Sequence, residues 1–196
     1  MSTTAEPGPG TEATWHVLQV GSGSPRVRSS VSLIVDHDQL VVVDPGMAPS
    51  QAAISGPLLE CGYEPAQITD VIISHHHPDH TINVGMFPNA RVHDHWAVYY
   101  HDEWDSREAE GFLVSPSILL WETPGHTAQD ITTLARTDQG LVAFTHLWFR
   151  STGPPEDPYC TDPAGLHRGR SRVLEVAGLI VPGHGTSFIP GPETPI

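Results

Sequence analysis

Apolar and polar positions along the chain change register several times, and each change predicts an element. Short runs rich in Val, Ile and Leu predict strands at Trp15–Val20, Val31–Val35, Leu40–Val43, Asp70–Ser74, Ala90–His93, Ile118–Glu122, Asp130–Ala135, Leu141–Thr145 and Leu179–Val181. Apolar residues three and four apart predict helices over Ser50–Cys61, Asp79–Met86 and Pro163–Ala177, the first and last stopped by Gly62 and Gly178. Strands come first in hairpin-like runs and then alternate with helices, which argues for a mixed α/β layering. Residues 1–13 and the closing PGPETPI lack apolar periodicity and predict loose tails around a single domain over 14–190. Between Arg150 and Asp162 three prolines without periodicity predict a long surface loop. Within WAVYYHDEW, the spacing of Trp96, Tyr99, Tyr100 and Trp104 predicts a helix face packed on the core, and Asp102–Glu110 an exposed helix or loop.

Composition narrows the function classes. With 196 residues and 38% hydrophobic content, the chain can bury one core, and no apolar run reaches the roughly 20 residues of a membrane-spanning helix. The opening residues have no basic segment followed by an apolar one, so we expect cytoplasmic residence, in keeping with two distant cysteines that form no disulfide framework. The formal charge is −14, and all nine basic residues are arginine. Nucleic acid is therefore a disfavoured partner, and the absence of lysine excludes a lysine Schiff base and a P-loop lysine. A small molecule is the expected substrate.

Thirteen histidines are the anomaly. Ser74-His75-His76-His77-Pro78-Asp79-His80 follows the apolar run DVII, where a buried strand ends and a helix begins. On an extended segment His75 and His77 point the same way, and once the helix starts, Asp79 and His80 swing back toward the same spot. Neutral imidazoles and a carboxylate at this density suit a borderline metal such as zinc. Two later loops repeat the design at strand exits: Thr123-Pro124-Gly125-His126-Thr127 and Pro182-Gly183-His184-Gly185-Thr186. Their Pro-Gly turns let the backbone approach whatever the imidazole binds.

The ordered set H-x-H-x-D-H, PGHT, PGHG resembles the signature of the metallo-β-lactamase superfamily over about residues 15–190. The flanks GMFPNARV (85–92) and RVLEVAGLIVPGHGTSF (172–188) look most like its metallo-β-lactamase domain-containing protein 1 group. The resemblance implies a four-layer αβ/βα sandwich with metals at one edge between two β-sheets. It implies a first zinc held by His75, His77 and His126, a second held by Asp79, His80 and His184, and support for the site from Asp44. It also implies hydrolysis by metal-activated water, with Asp79 as orienter and proton acceptor, on a small ester, lactone, thioester or amide. The named group is linked to histone pre-mRNA, which makes a phosphodiesterase or ribonuclease the alternative; the charge balance weighs against it.

One position departs from the family. Where a bridging Asp normally follows the strand VAF-T, this chain has Thr145-His146. An imidazole offers one lone pair where a carboxylate can bridge. Three outcomes stay open: His146 ligates only the second metal, it turns away and leaves a single-metal site, or the site prefers another ion such as iron. The same departure is the whole support for a third reading, a metal-binding regulator without hydrolysis. Of the remaining candidates, Asp94 in His93-Asp94-His95 is expected to cap a helix, and Arg168, Arg170 and Arg172 to form a solvated face.

Overall fold

The structure is a computed structural model that describes residues 12–196. Seven strands form the first sheet in chain order: β1 (Thr14–Gln19), β2 (Val31–Asp36), β3 (Gln39–Val43), β4 (Asp70–Ile72), β5 (Arg91–His93), β6 (Ala97–Tyr100) and β7 (Glu103–Ser106). Its central strands β3, β4 and β5 are parallel and the outer pairs antiparallel. The second sheet has the order β12-β11-β10-β9-β8, built from β8 (Leu113–Ser115), β9 (Ile118–Glu122), β10 (Ile131–Thr137), β11 (Gly140–Thr145) and β12 (Leu179–Pro182), with β11 and β12 parallel. Three α-helices complete the described chain: α1 (Ala52–Glu60), α2 (Pro78–Thr81) and α3 (Pro163–Leu174). None is long and apolar enough to cross a membrane.

Strand alternation explains the layering. In β3, Val41 and Val43 face one way and Leu40 and Val42 the other; in β9, Ile118 and Leu120 oppose Leu119 and Trp121. The set Val41, Val43, Ile118 and Leu120 meets between the sheets with Ile34, Ile72 and Phe144. The outer face of the first sheet is covered by Ile54 and Leu58 of α1, one turn apart and fully buried, each worth about 1.5–3 kcal/mol of transfer free energy. The outer face of the second packs Leu119, Trp121, Ala143 and Ile180 against Leu166 and Val173 of α3. Both sheets are thus buried on two faces over their central strands, which is why so many of those strands read as apolar runs. Three apolar seams between four layers make the αβ/βα sandwich.

Several local expectations are corrected. The WAVYY stretch is no helix: β6 and β7 form a hairpin whose turn carries His101 at φ 55°, and Tyr99 pairs with Trp104 across it. Aromatics spaced three and four apart fit a folded-back strand pair as well as a helix face, and aromatic enrichment favours strands. Asp94 accordingly caps no helix; it accepts from the Trp96 and Ala97 amides in the β5–β6 turn. The helix expected to Met86 ends at Thr81, followed by a short 3-10 turn over Val84–Met86. Arg170 is not on a solvated face: it is 1% exposed and donates to the Leu147, Pro154 and Pro155 carbonyls. Nor is the C-terminal segment loose, since Trp148 Nε1 donates to Pro195 O at 2.8 Å. Of the N-terminal tail, residues 1–11 lie outside the described residues, while Ala13 is buried and its amide bonds to Arg136 O.

Candidate metal centre

The carboxyl ends of β3, β4 and β5 reach one rim of the sandwich, and the ends of β9, β11 and β12 deliver their loops to the same rim. From β4 come Ser74, His75 and His77; from α2, Asp79 and His80; from the loop after β9, His126; after β11, His146; after β12, His184. All seven expected ligand positions converge. Their atoms form three overlapping groups, His75–His77–His126, Asp79–His80–His184 and His75–His80–His146, each with ligand atoms within 4.8 Å of one another.

Outer partners fix which ring nitrogen faces inward. Asp44 Oδ2 accepts from His80 Nδ1 at 2.8 Å and from Ser74 Oγ at 2.7 Å, while its Oδ1 accepts from the Ser74 amide. A carboxylate only accepts, so the His80 proton sits on Nδ1 and the Nε2 lone pair is free. Ser74 Oγ, its hydroxyl hydrogen directed at Asp44, accepts from His75 Nδ1 at 3.1 Å. His184 Nδ1 donates to Arg28 O at 3.0 Å. Asp44, set at φ 53°, stands behind these rings, bonded to His80 directly and to His75 through Ser74.

His126 has a partner that the sequence pattern missed. Its Nδ1 donates at 2.6 Å to Asp157 Oδ2, a buried carboxylate brought in by the Arg150–Asp162 loop. Burial works to raise the Asp157 carboxyl, but the bonds from His126 and the Tyr159 amide outweigh it and hold it below the ordinary value. No family of spacings places a residue of an irregular loop; the one available signal was an acid inside a Pro-rich insertion that would otherwise have no reason to be ordered. The PGHT loop itself is tied down by Asp130, which accepts from the Thr127 amide and hydroxyl and is pushed up to about 6 by burial.

What remains at the centre is a set of ring nitrogens facing one another, with the Nε2 lone pairs of His75, His80, His126 and His184 turned inward. His77 Nδ1 lies 3.0 Å from both His75 Nε2 and His126 Nε2, and His146 Nε2 lies 3.1 Å from His184 Nε2. Burial first, and the neighbouring imidazoles second, hold His75 and His146 well below the usual histidine range; His77 and His184 are lowered too. The rings are therefore neutral and crowded nitrogen against nitrogen. Buried His80 Nε2 and His146 Nδ1 have no hydrogen-bond partner. Tetrahedral zinc with bonds of about 2.0–2.1 Å separates its nitrogen ligands by about 3.3 Å, so the donor set fits a zinc-type cation that would satisfy these atoms.

His146 does not turn away. Its ring centroid lies 4.3–5.0 Å from those of His75, His80, His126 and His184, at the middle of the cluster. The space is made by Gly183, where a Cβ would collide with the His146 ring. Gly46 plays the same part beneath α2, its Cα packed against the Asp79 backbone.

Fold and histidine rim together define a sandwich with a metal-type rim, and a model of the metallo-β-lactamase superfamily matches residues 25–189; the chain belongs to that superfamily. Among curated proteins it is similar to the metallo-β-lactamase domain-containing protein 1 of Xenopus laevis, 31% identical over 92% of this chain and 83% of the relative. The Homo sapiens protein of that name is 33% identical over 76% of this chain, and the match spans 59% of the human protein's length. Among solved structures, a Thermotoga maritima protein assigned to the metallo-β-lactamases superposes with TM-score 0.74 at 20% identity, over 91% of this chain and all of that one. A B. thuringiensis protein with N-decanoyl-L-homoserine at its active site superposes with TM-score 0.65 at 18% identity, over 89% and 93%. At these identities the structures support the fold.

Proposed function

We propose that this chain is a zinc-dependent hydrolase with two metals per chain, acting on a small ester, lactone, thioester or amide. The observation that carries the reading is the convergence of neutral imidazole lone pairs with one inward carboxylate, Asp79, at a rim beside an open cleft. His75, His77 and His126 would hold one ion, and Asp79, His80 and His184 the other, with His146 joining the second group. Bound zinc supplies a water of pKa near about 7 and polarises the oxygen of the scissile group.

The chain's own residues do the rest. Asp79 Oδ2, 3.5 and 3.6 Å from the Nε2 atoms of His80 and His184, is placed to orient the attacking water and take its proton. Asp44 and Asp157 keep the ligand rings from rotating as charge builds up. A cavity of about 520 Å³ bordered by Ser22, Phe149, Arg150, Pro154, Glu156 and His184 opens onto the site and has room for a small substrate. The charge of −14 without lysine disfavours the RNA phosphodiesterase reading.

Elemental analysis of the purified protein beside His146→Ala, with turnover of a panel of neutral and acidic esters and lactones before and after chelation, tests the proposal. Two zincs falling to one on substitution, with turnover lost on chelation and restored by zinc, is the expected result. One metal in both proteins overturns the two-metal site. Two metals without turnover, and activity on installing His146→Asp, would favour the regulator.

A further inference from the structure

The rim carries a second cavity that the metal reading does not use. It measures about 660 Å³ and is lined by His95, Trp96, Trp104, Ser106, Arg107 and Glu108. It lies where β5 hands over to β6 and β7 ends, so it shares the rim of the β4–α2 loop that carries the histidines. The link is direct: His76, between His75 and His77, stacks on Trp96 with ring centroids 5.2 Å apart and bonds to Asp94 at 3.0 Å.

Two features of this cavity stand out. Trp96 and Trp104 are 48% and 66% exposed although Trp121 and Trp148 are fully buried, and two large exposed indoles on one cavity cost apolar hydration that a ligand would recover. In the same lining Arg107 has its guanidinium 4.5 Å over the Phe112 ring and Nη1 at 3.5 Å from His95 O, while Nε and Nη2 are closed off from water and without a hydrogen-bond partner. An orphaned guanidinium edge is costly, and its fork matches a carboxylate. Arg107 lines the cavity, so an acid entering there meets the guanidinium.

We propose that this cavity binds a planar aromatic group bearing a carboxylate, with the ring between Trp96 and Trp104 and the acid on Arg107. As the distant end of a substrate this site rests on the hydrolase reading; as a binding site it does not, and the test separates the two. The probe is 2-naphthoate, titrated into zinc-loaded protein labelled with 5-fluorotryptophan and followed by fluorine NMR, with resonances assigned through Trp96→Phe and Trp104→Phe. The Trp96 and Trp104 signals should shift saturably while the others stay put. The neutral amide of the same ring should bind about tenfold weaker or worse, and Arg107→Gln should weaken 2-naphthoate by at least about tenfold, the loss of one charge-assisted pair. If Arg107→Gln fails to fold, Trp104→Ala must weaken binding by a similar factor. No shift at millimolar probe, or equal binding of acid and amide, overturns the proposal even if the protein proves to be a hydrolase; binding in a protein without turnover keeps the site and removes only its assignment to substrate.

Discussion

Replacing Asp157 should loosen metal binding from outside the ligand set. The carboxylate is buried, sits 2.6 Å from His126 Nδ1 and is held below its ordinary pKa, so the bond is a charge-assisted one between groups shielded from water. Asp157→Asn keeps the shape and an accepting oxygen but removes the charge, roughly halving the strength of such a bond. Asp157→Ala removes the acceptor and frees the ring to rotate. Outer partners of metal-bound histidines typically control about 10–100-fold in affinity, or about 1.4–2.7 kcal/mol. We expect the Asn variant near the lower end and the Ala variant near the upper. Zinc affinity measured against a competing chromophoric chelator reads the effect directly. Because Asp157 also accepts from the Tyr159 amide, thermal melting of the zinc-free proteins is the control for loop disorder. Wild-type zinc affinity in a folded Asp157→Ala variant would refute the reasoning, since His126 would then need no outer partner.

Three further outcomes follow from other parts of the molecule. Arg170→Met should cost about 3–5 kcal/mol in urea unfolding, because the buried guanidinium serves three carbonyls that no aliphatic side chain can satisfy; a loss below about 1 kcal/mol would mean water replaces it. Gly46→Ala should lower both Tm and retained zinc, since the new Cβ must displace the backbone of Asp79 and His80; unchanged metal content would show that α2 can move without cost. Asp70 is buried, which works to raise its carboxyl, but bonds from His93, Arg91 and Thr69 outweigh this and lower it. Its contribution is complete above the ordinary carboxylate value of about 3.9 and is lost as pH falls through the lower folded value, so Asp70→Asn should flatten the acid limb of stability against pH. An unaltered slope would count against it.

The parts of this fold that were legible in the sequence are those where one physical signal dominates. Strands β2, β3, β9 and β11 are buried on both faces and leave apolar runs; the expected ligand positions follow β4, β9, β11 and β12, where such runs break into His, Pro and Gly. The β6–β7 hairpin was misread because two short paired strands reproduce helical spacing, and nothing local distinguishes them until Tyr99 meets Trp104. Arg170 was misread for a related reason: its carbonyl partners lie in a loop whose path no periodicity fixes. At the site, the inward-facing residues were legible as types and spacing, whereas Asp157 depends wholly on tertiary folding. His146 could be seen to replace a carboxylate, but only Gly183, distant in sequence, shows that a ring has been given room there.

The loop over 150–162 is fastened at three places: by Arg170 at Pro154 and Pro155, by Asp157 at His126, and by the Thr161 and Asp162 amides at Gly125 O. The same loop supplies Pro154, Glu156 and Pro158 to the wall of the cleft. On the proposed reading, selectivity and ion retention therefore share one strip of chain. A graft that rebuilds this strip to admit a new substrate must carry an acid at the Asp157 position and two carbonyls within reach of Arg170, or it will trade a wider entrance for a leakier centre. Diversification by loop exchange is cheaper on the opposite side of the rim, at the β6–β7 hairpin, whose described contacts leave the seven inward residues untouched.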